Sequence, residues 1–361
     1  MKKFLNLSFC IPLILMVGLV SCHSDNEQQP SIIDLPQDVF LVGMNGIETY
    51  FWQQSIPVFL ENCDRNIPPK IAFSHGHGFI VANPASEKAV AWEDGQRIQL
   101  DGLFDKTYFY DMAAVLGQSY VVGISYQNTR NVPGERTGVY WIDGAPNYFD
   151  ILPSTVPRRL RITSDGTDTY VLWGENNGNH KILKNGQVIY EFFYSLVAPT
   201  YTIFEDIDIY EGSLYFCGSE YTASSDKVRG VIYKDGLPWK YEDRAQKSTF
   251  DMMKIEEDGH VFTVGEFVDY GADMNIVKWA LYRAGTYVLA FEIEDMAHVS
   301  DFYVDRDVAY VAGNKDDGFA CVRIEQPTGS YLSYSNVKVP IPFGNAEAYR
   351  DITGVALNPV R

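Results

Sequence analysis

The chain has 361 residues, room for about two ordinary domains or one large all-β domain. Its 47 acidic against 29 basic residues leave a formal charge of −18, which opposes a polyanionic partner and excludes nucleic acid. A hydrophobic content of 46% is enough for a full core, and 24 Tyr, 21 Phe and 6 Trp favour pleated sheet over helix.

The N-terminus has Lys2 and Lys3, an apolar run from Phe4 to Val20 broken by Asn6, Ser8 and Gly18, and then Ser21 and Cys22. A charged start, a short apolar stretch and a small residue predict a secretory signal over residues 1–21, absent from the mature fold. Leu19-Val20-Ser21-Cys22 resembles a bacterial lipobox. The resemblance implies that the Cys22 thiol is lipidated and becomes the new N-terminus, with acyl chains such as palmitate holding the protein on a bilayer without a transmembrane helix. His23 to Gln29 are polar, and with Pro30 they let residues 22–35 read as a lipidated flexible tether. Position 23 is not Asp, which resembles lipoproteins sorted to the outer membrane, and Asp25 and Glu27 resemble the acidic tags of surface-exposed ones. Cys10 leaves with the signal, so Cys63, Cys217 and Cys321 remain. Their odd number and apolar settings favour buried free thiols over a disulfide framework.

From residue 36 onward a repeat organises the chain. An apolar run ending in a small residue recurs at Gly43, Ala82, Gly123, Gly174, Gly218, Gly265 and Gly313, with successive spacings between 39 and 51 residues. That is the size of one four-stranded propeller blade. A second strand follows each run and often ends in a turn pair: Asp94-Gly95, Asp143-Gly144, Asn185-Gly186, Asp235-Gly236 or Ala284-Gly285. Such pairs tolerate the positive φ that two-residue hairpins require. Before several runs, Asp165-Gly166, Glu211-Gly212 and Asp258-Gly259 predict another short hairpin. Each unit thus reads as strand A, turn, strand B, loop, strand C, turn, strand D.

Residues 351–357 form a strand A without a strand B, and residues 38–43 a strand B without an A, so each can complete the other. Residues 36–361 therefore resemble a seven-bladed β-propeller closed by pairing of the N- and C-terminal strands, an all-β fold of antiparallel four-stranded blades without exposed inner edges. The competing fold is a β-sandwich or two stacked β domains.

In such blades the A–B and C–D turns share one face, and the B–C and D–A connections share the other. Three B–C loops are expanded, at 124–137, 219–229 and 266–277, which nominates their face for binding. They carry Tyr126, Asn128, Arg130, Arg136, Tyr221, Asp226, Tyr270 and Asp273. Aromatic faces mixed with planar polar groups suit a glycan or a protein partner.

A second pattern lies on strand A. Asp111, Asp206 and Asp301 each precede their small residue by 12 positions, Asp251 precedes its own by 14, and Asp351 opens the C-terminal strand. These carboxylates would ring the channel mouth, where they would either attract a hard cation such as Ca²⁺ or accept backbone N–H groups that fix the strand connections. Lys70 takes the corresponding place in the second unit. His75-Gly76-His77 reads as a Gly-containing turn rather than a metal site. No GxSxG, HExxH or GxxxxGK[ST] motif occurs. The sequence thus predicts an outer-membrane lipoprotein with a cell-surface binding propeller and no required cofactor. The alternative is a hydrolase or lyase using Asp111, Asp206, Asp251 and Asp301.

Overall fold

In a computed structural model the chain is described over most of residues 31–357, leaving out 128–133, 151–156, 195–199, 223–226, 243–246, 270–275, 292–297, 326–332, 339–349 and some shorter stretches. Among the described residues no helix is long and apolar enough to cross a membrane.

The regular structure is almost entirely antiparallel sheet, and most sheets are built from consecutive strands. Lys70–Ser74, His77–Ala82, Val90–Glu93 and Gln96–Gln99 form one. Lys106–Val115, Gln118–Tyr126, Arg136–Ile142 and Ala145–Phe149 form the next, followed by Pro157–Ser164, Thr169–Glu175, His180–Lys184 and Gln187–Phe192. Thr200–Tyr210, Ser213–Thr222, Val228–Lys234 and Leu237–Tyr241 come next. The short strand Lys247–Ser248 links them to Met252–Ile255, Val261–Asp269, Ile276–Arg283 and Thr286–Phe291. His298–Asp305, Val308–Lys315, Gly318–Glu325 and Ser333–Lys338 follow. The sheet of Val39–Asn45, Glu48–Gln53 and Ile56–Asn62 takes its fourth strand from the far end of the chain: Arg350–Leu357 pairs antiparallel with Val39–Asn45, Val39 opposite Leu357. Four-stranded antiparallel blades packed face to face are the architecture of a β-propeller.

Apolar residues alternate along the strands and fill the space between neighbouring sheets. Phe204, Phe216, Leu172 and Ile182 make one such layer, and Phe262, Leu281, Phe302 and Val311 another. A third joins Val39, Leu41, Trp52 and Val355 to Tyr310, Ala312 and Cys321. Cys63, Cys217 and Cys321 are buried free thiols. The turn chemistry follows the sequence: φ is +47° and +83° at Asp94-Gly95, and +49° and +83° at Asp235-Gly236. His75-Gly76 turns the same way, and His77 Nδ1 lies 2.8 Å from Asp94 Oδ2.

Two expectations need correction. The tether expected over residues 22–35 includes Ser31–Asp34, yet that segment adds a fifth strand to a sheet, pairing parallel with Ser335–Lys338 and covering its outer edge. Edge strands expose unpaired backbone groups, so an adjacent segment free to pair there is drawn onto the ladder. The expanded B–C loops are also shorter than expected, because their strands run past the small residue: Tyr221 still pairs with Val228 and Asp269 with Ile276.

The small residue itself has a structural cause. Opposite it the inner strand carries a β-bulge, with register shifts at Val122/Gly123, between Phe204 and Asp206, and between Val299 and Asp301. The bulge drives a carbonyl into the neighbouring strand. A Cβ on Gly123 would meet Tyr108 O at 2.0 Å, one on Gly218 would meet Ile203 O at 2.0 Å, and one on Gly313 would meet His298 O at 2.0 Å. Ala82 stands where the pairing Lys70–Val81 continues without a shift, so its methyl group has room.

Candidate functional site

The inner strands line a central channel containing two cavities that share Lys70, Arg161 and Met252. One, of about 460 Å³, extends towards the short-turn face, where Ser164, Asp165, Tyr210 and Glu211 lie. The other, of about 640 Å³, opens on the B–C and D–A side.

Asp111, Asp206 and Asp301 line the first cavity, inside the channel rather than at its mouth. Each reaches the next inner strand and accepts a backbone N–H: Asp111 from Ile162 at 3.1 Å, Asp206 from Met253 at 2.8 Å, and Asp301 from Val355 at 3.1 Å. Asp208 repeats the contact on Ile255 at 2.9 Å. These carboxylates clamp one sheet to the next, which is the structural alternative foreseen for them. Arg161 and Lys254 stand among them, with Arg161 Nε 3.7 Å from Asp206 Oδ1. Burial would lower both basic groups, but Asp111, Asp206 and Asp301 outweigh it and hold them raised. Burial pushes Asp206 up to about 6 even though Arg161 and Lys254 pull it down.

The bulges determine what the second cavity presents. A bulged residue is released from the ladder and re-aimed, and here the bulged residues Tyr110, Arg158, Glu205, Ser300 and Thr353 all line the mouth. Asp251 joins them, immediately before Met252, which pairs with Val264. It therefore does not share a ring with Asp111, Asp206 and Asp301. Asp251 accepts the Thr249 hydroxyl at 2.8 Å. Burial pushes its carboxyl up to about 6, opposed by Thr249 and reinforced by Glu205 and Glu266. Burial also raises Glu266. Glu205 is ion-paired with Arg159, whereas Arg158 has neither a hydrogen bond nor an ion pair among the described residues. Trp279 and His298 complete this wall, their rings 5.8 Å apart and edge to face.

Of the loop residues nominated by sequence, Tyr126, Arg136 and Tyr221 are described, and they flank this mouth. Tyr126 stacks on Tyr108 at 5.3 Å, and Arg136 lies close enough to oppose the burial that raises Tyr110. Tyr221 stacks on Tyr201 at 5.0 Å, and burial raises its hydroxyl, reinforced by Glu205 and Asp251 and opposed by Arg158. Asn128, Arg130, Asp226, Tyr270 and Asp273 lie outside the described residues, as does the side chain of Asp351. Sequence reasoning missed Tyr110, Arg158, Glu205, Glu266, Trp279 and His298. The available signal was the position immediately before each inner-strand Asp, occupied by Tyr110, Glu205 and Ser300. Among the described residues, the one group of three acidic or histidine side chains with ligand atoms within 4.8 Å is Glu256, Asp258 and His260, in a hairpin away from the aspartates expected to ring a cation.

No family model matches the chain, and no curated protein matches it. Among solved structures, a prolyl endopeptidase superposes with a TM-score of 0.50 at 13% identity, covering 87% of this chain and 50% of its own. The chain thus spans half the length of that enzyme. The computationally designed Ika8 protein gives a TM-score of 0.48 at 13% identity, covering 84% and 85% of the two chains. The β-propeller domain of Cps50 (Swd1) from Myceliophteria thermophila gives 0.44 at 9% identity, covering 78% and 93%. At such identities likeness speaks to fold alone, and with the sheet topology it makes this chain an all-β propeller of antiparallel four-stranded blades.

Proposed function

We propose that the protein is a lipid-anchored envelope propeller of seven blades, closed by its terminal strands, that binds a glycan in the mouth cavity on its loop side. The pairing of Arg350–Leu357 with Val39–Asn45 supports closure. The Leu19–Cys22 motif supports acylation at Cys22 and residence in the outer membrane.

The observation that carries the glycan reading is the ring of bulged residues around a concave space of about 640 Å³, backed by Trp279 and flanked by paired tyrosines. A concavity of that size takes a small oligosaccharide, whereas a protein partner calls for a broader, flatter face. Pyranose rings pack their C–H faces on aromatic rings, and their hydroxyls bond to carboxylates and guanidinium groups.

The test is a glycan array probed with the full chain in detergent, with recovery of the bound sugar. Intact ligand, and binding lost in Trp279→Ala, is the expected result; an array without binding overturns the reading. One observation favours a second reading: Asp251, raised by burial, sits beside Glu205, which is ion-paired with Arg159. Two carboxylates in different electrostatic settings suit a general acid and its partner in a hydrolase or lyase. Ligand cleavage abolished by Asp251→Asn would establish that reading instead.

A further inference from the structure

The mouth is polar but unevenly charged, and its acidic arc lies on one sheet. Asp251 comes from the segment entering Met252–Ile255, Glu266 from Val261–Asp269 and Trp279 from Ile276–Arg283. Glu266 and Trp279 are directly paired across the ladder, so their side chains leave the same face of the sheet. His298 packs against the indole from the next sheet. The wall therefore places two carboxylates beside an indole at the edge of a cavity.

These groups are not consumed by internal contacts. Among the described residues neither Asp251 nor Glu266 pairs with a basic side chain; Asp251 has the Thr249 hydroxyl, and Glu266 uses its backbone on Thr249. Trp279 is only 8% exposed and lines the cavity, yet its indole N–H has no hydrogen-bond partner among the described residues. Of the rim cations, Arg159 is engaged with Glu205, Lys70 bonds Ser300 O at 3.4 Å, and Arg158, which makes no ion pair among the described residues, comes from a different sheet, on Pro157–Ser164. Asp251, half-buried, and Glu266, exposed at the rim, have no cation and lie next to an indole whose donor is unused, an arrangement built for a ligand that brings a positive charge and an acceptor together. An ammonium group satisfies carboxylates by charge-assisted bonds and is attracted to an adjacent aromatic face. A neighbouring ring hydroxyl would accept from the indole N–H.

We infer that the mouth selects a glycan carrying a free primary amine, seated between Asp251, Glu266 and Trp279. This rests on the glycan reading above and adds the chemical class of the sugar. An N-acetylated sugar would leave the carboxylates without their cation, and a neutral sugar would do the same.

The experiment is titration calorimetry of the full chain in detergent, at near-neutral pH, with three β-1,4-linked tetrasaccharides of glucosamine, N-acetylglucosamine and glucose, and with tetralysine. The glucosamine oligomer should bind about tenfold or more tighter than the other two sugars, the worth of one charge-assisted hydrogen bond. Asp251→Asn and Glu266→Gln should each bring that ratio close to one while residual sugar binding persists. Equal affinity for all three sugars, or a preference that survives both substitutions, overturns the amine seat but leaves the glycan reading standing. Tetralysine bound in an Asp251-dependent way, with no sugar bound, upholds the amine seat and overturns the glycan reading. No binding of any probe overturns both.

Discussion

Replacing Gly218 by Ala tests the physical origin of the repeat. An added Cβ would lie 2.0 Å from Ile203 O and 2.8 Å from Phe204 Cα, so the inner strand must retreat by about 1 Å to restore contact distance. It has nowhere to go. Phe204 is fully buried against Phe216, and two residues further on Asp206 bonds the N–H of Met253 in the next sheet. Overpacking of a tight core costs about 1–3 kcal/mol, and stretching the charged Asp206 clamp adds about 1.5 kcal/mol or more. The expected loss is about 3–4 kcal/mol in unfolding free energy, read from urea melts followed by tryptophan fluorescence. The control is Ala82→Gly, where no bulge approaches and the cost is chiefly backbone entropy, about 1 kcal/mol. If Gly218→Ala falls within about 1 kcal/mol of the unaltered protein, the glycine is not required by the bulge and the reasoning fails.

Asp206→Asn should cost about 2 kcal/mol through the weakened clamp on Met253, whereas Asp251→Asn should stay within about 1 kcal/mol because Asp251 ties no neighbouring sheet; equal losses in urea melts would contradict the division between clamp and mouth. His180 is buried without a partner for either ring nitrogen, and burial lowers its pKa from 6.5 to about 4. The unfolded chain therefore binds the extra proton first, so stability is full above about pH 6.5 and falls by about 3 kcal/mol as pH drops towards 4; His180→Leu should flatten that limb, and an unchanged pH profile would refute it. Asp206 and Asp251 act with the opposite sign, since their carboxyls stay protonated up to about 6 in the fold against 3.8 for an ordinary Asp, so their contribution falls as pH rises across that window. Deleting residues 350–361 should cost several kcal/mol by stripping the inner strand from Val39–Asn45, and an unaltered melt would count against closure. Cys22→Ala should release the protein from membranes, and membrane retention would dismiss the acyl anchor.

The periodic glycines, the Asp-Gly and Asn-Gly turns and the alternation of apolar residues were legible as a propeller because each is a local demand: positive φ at the turn, a missing Cβ at the bulge, one apolar face per strand. The candidate site was only half legible. Asp111, Asp206 and Asp301 stood out by their spacing, yet regular spacing marked the residues that repeat a structural bond, each to a backbone N–H of the adjoining sheet. The mouth residues differ in type from sheet to sheet, Tyr110, Arg158, Glu205 and Ser300, so only their position at the bulge repeats and not their chemistry. Tertiary structure decided their convergence, because a one-residue bulge turns a side chain from the strand's face into the channel, and no local pattern records which neighbour it meets there. What the chain order fixed by itself was the scaffold, through short-range backbone chemistry; what lines the mouth depended on where distant inner strands came to rest around a common axis.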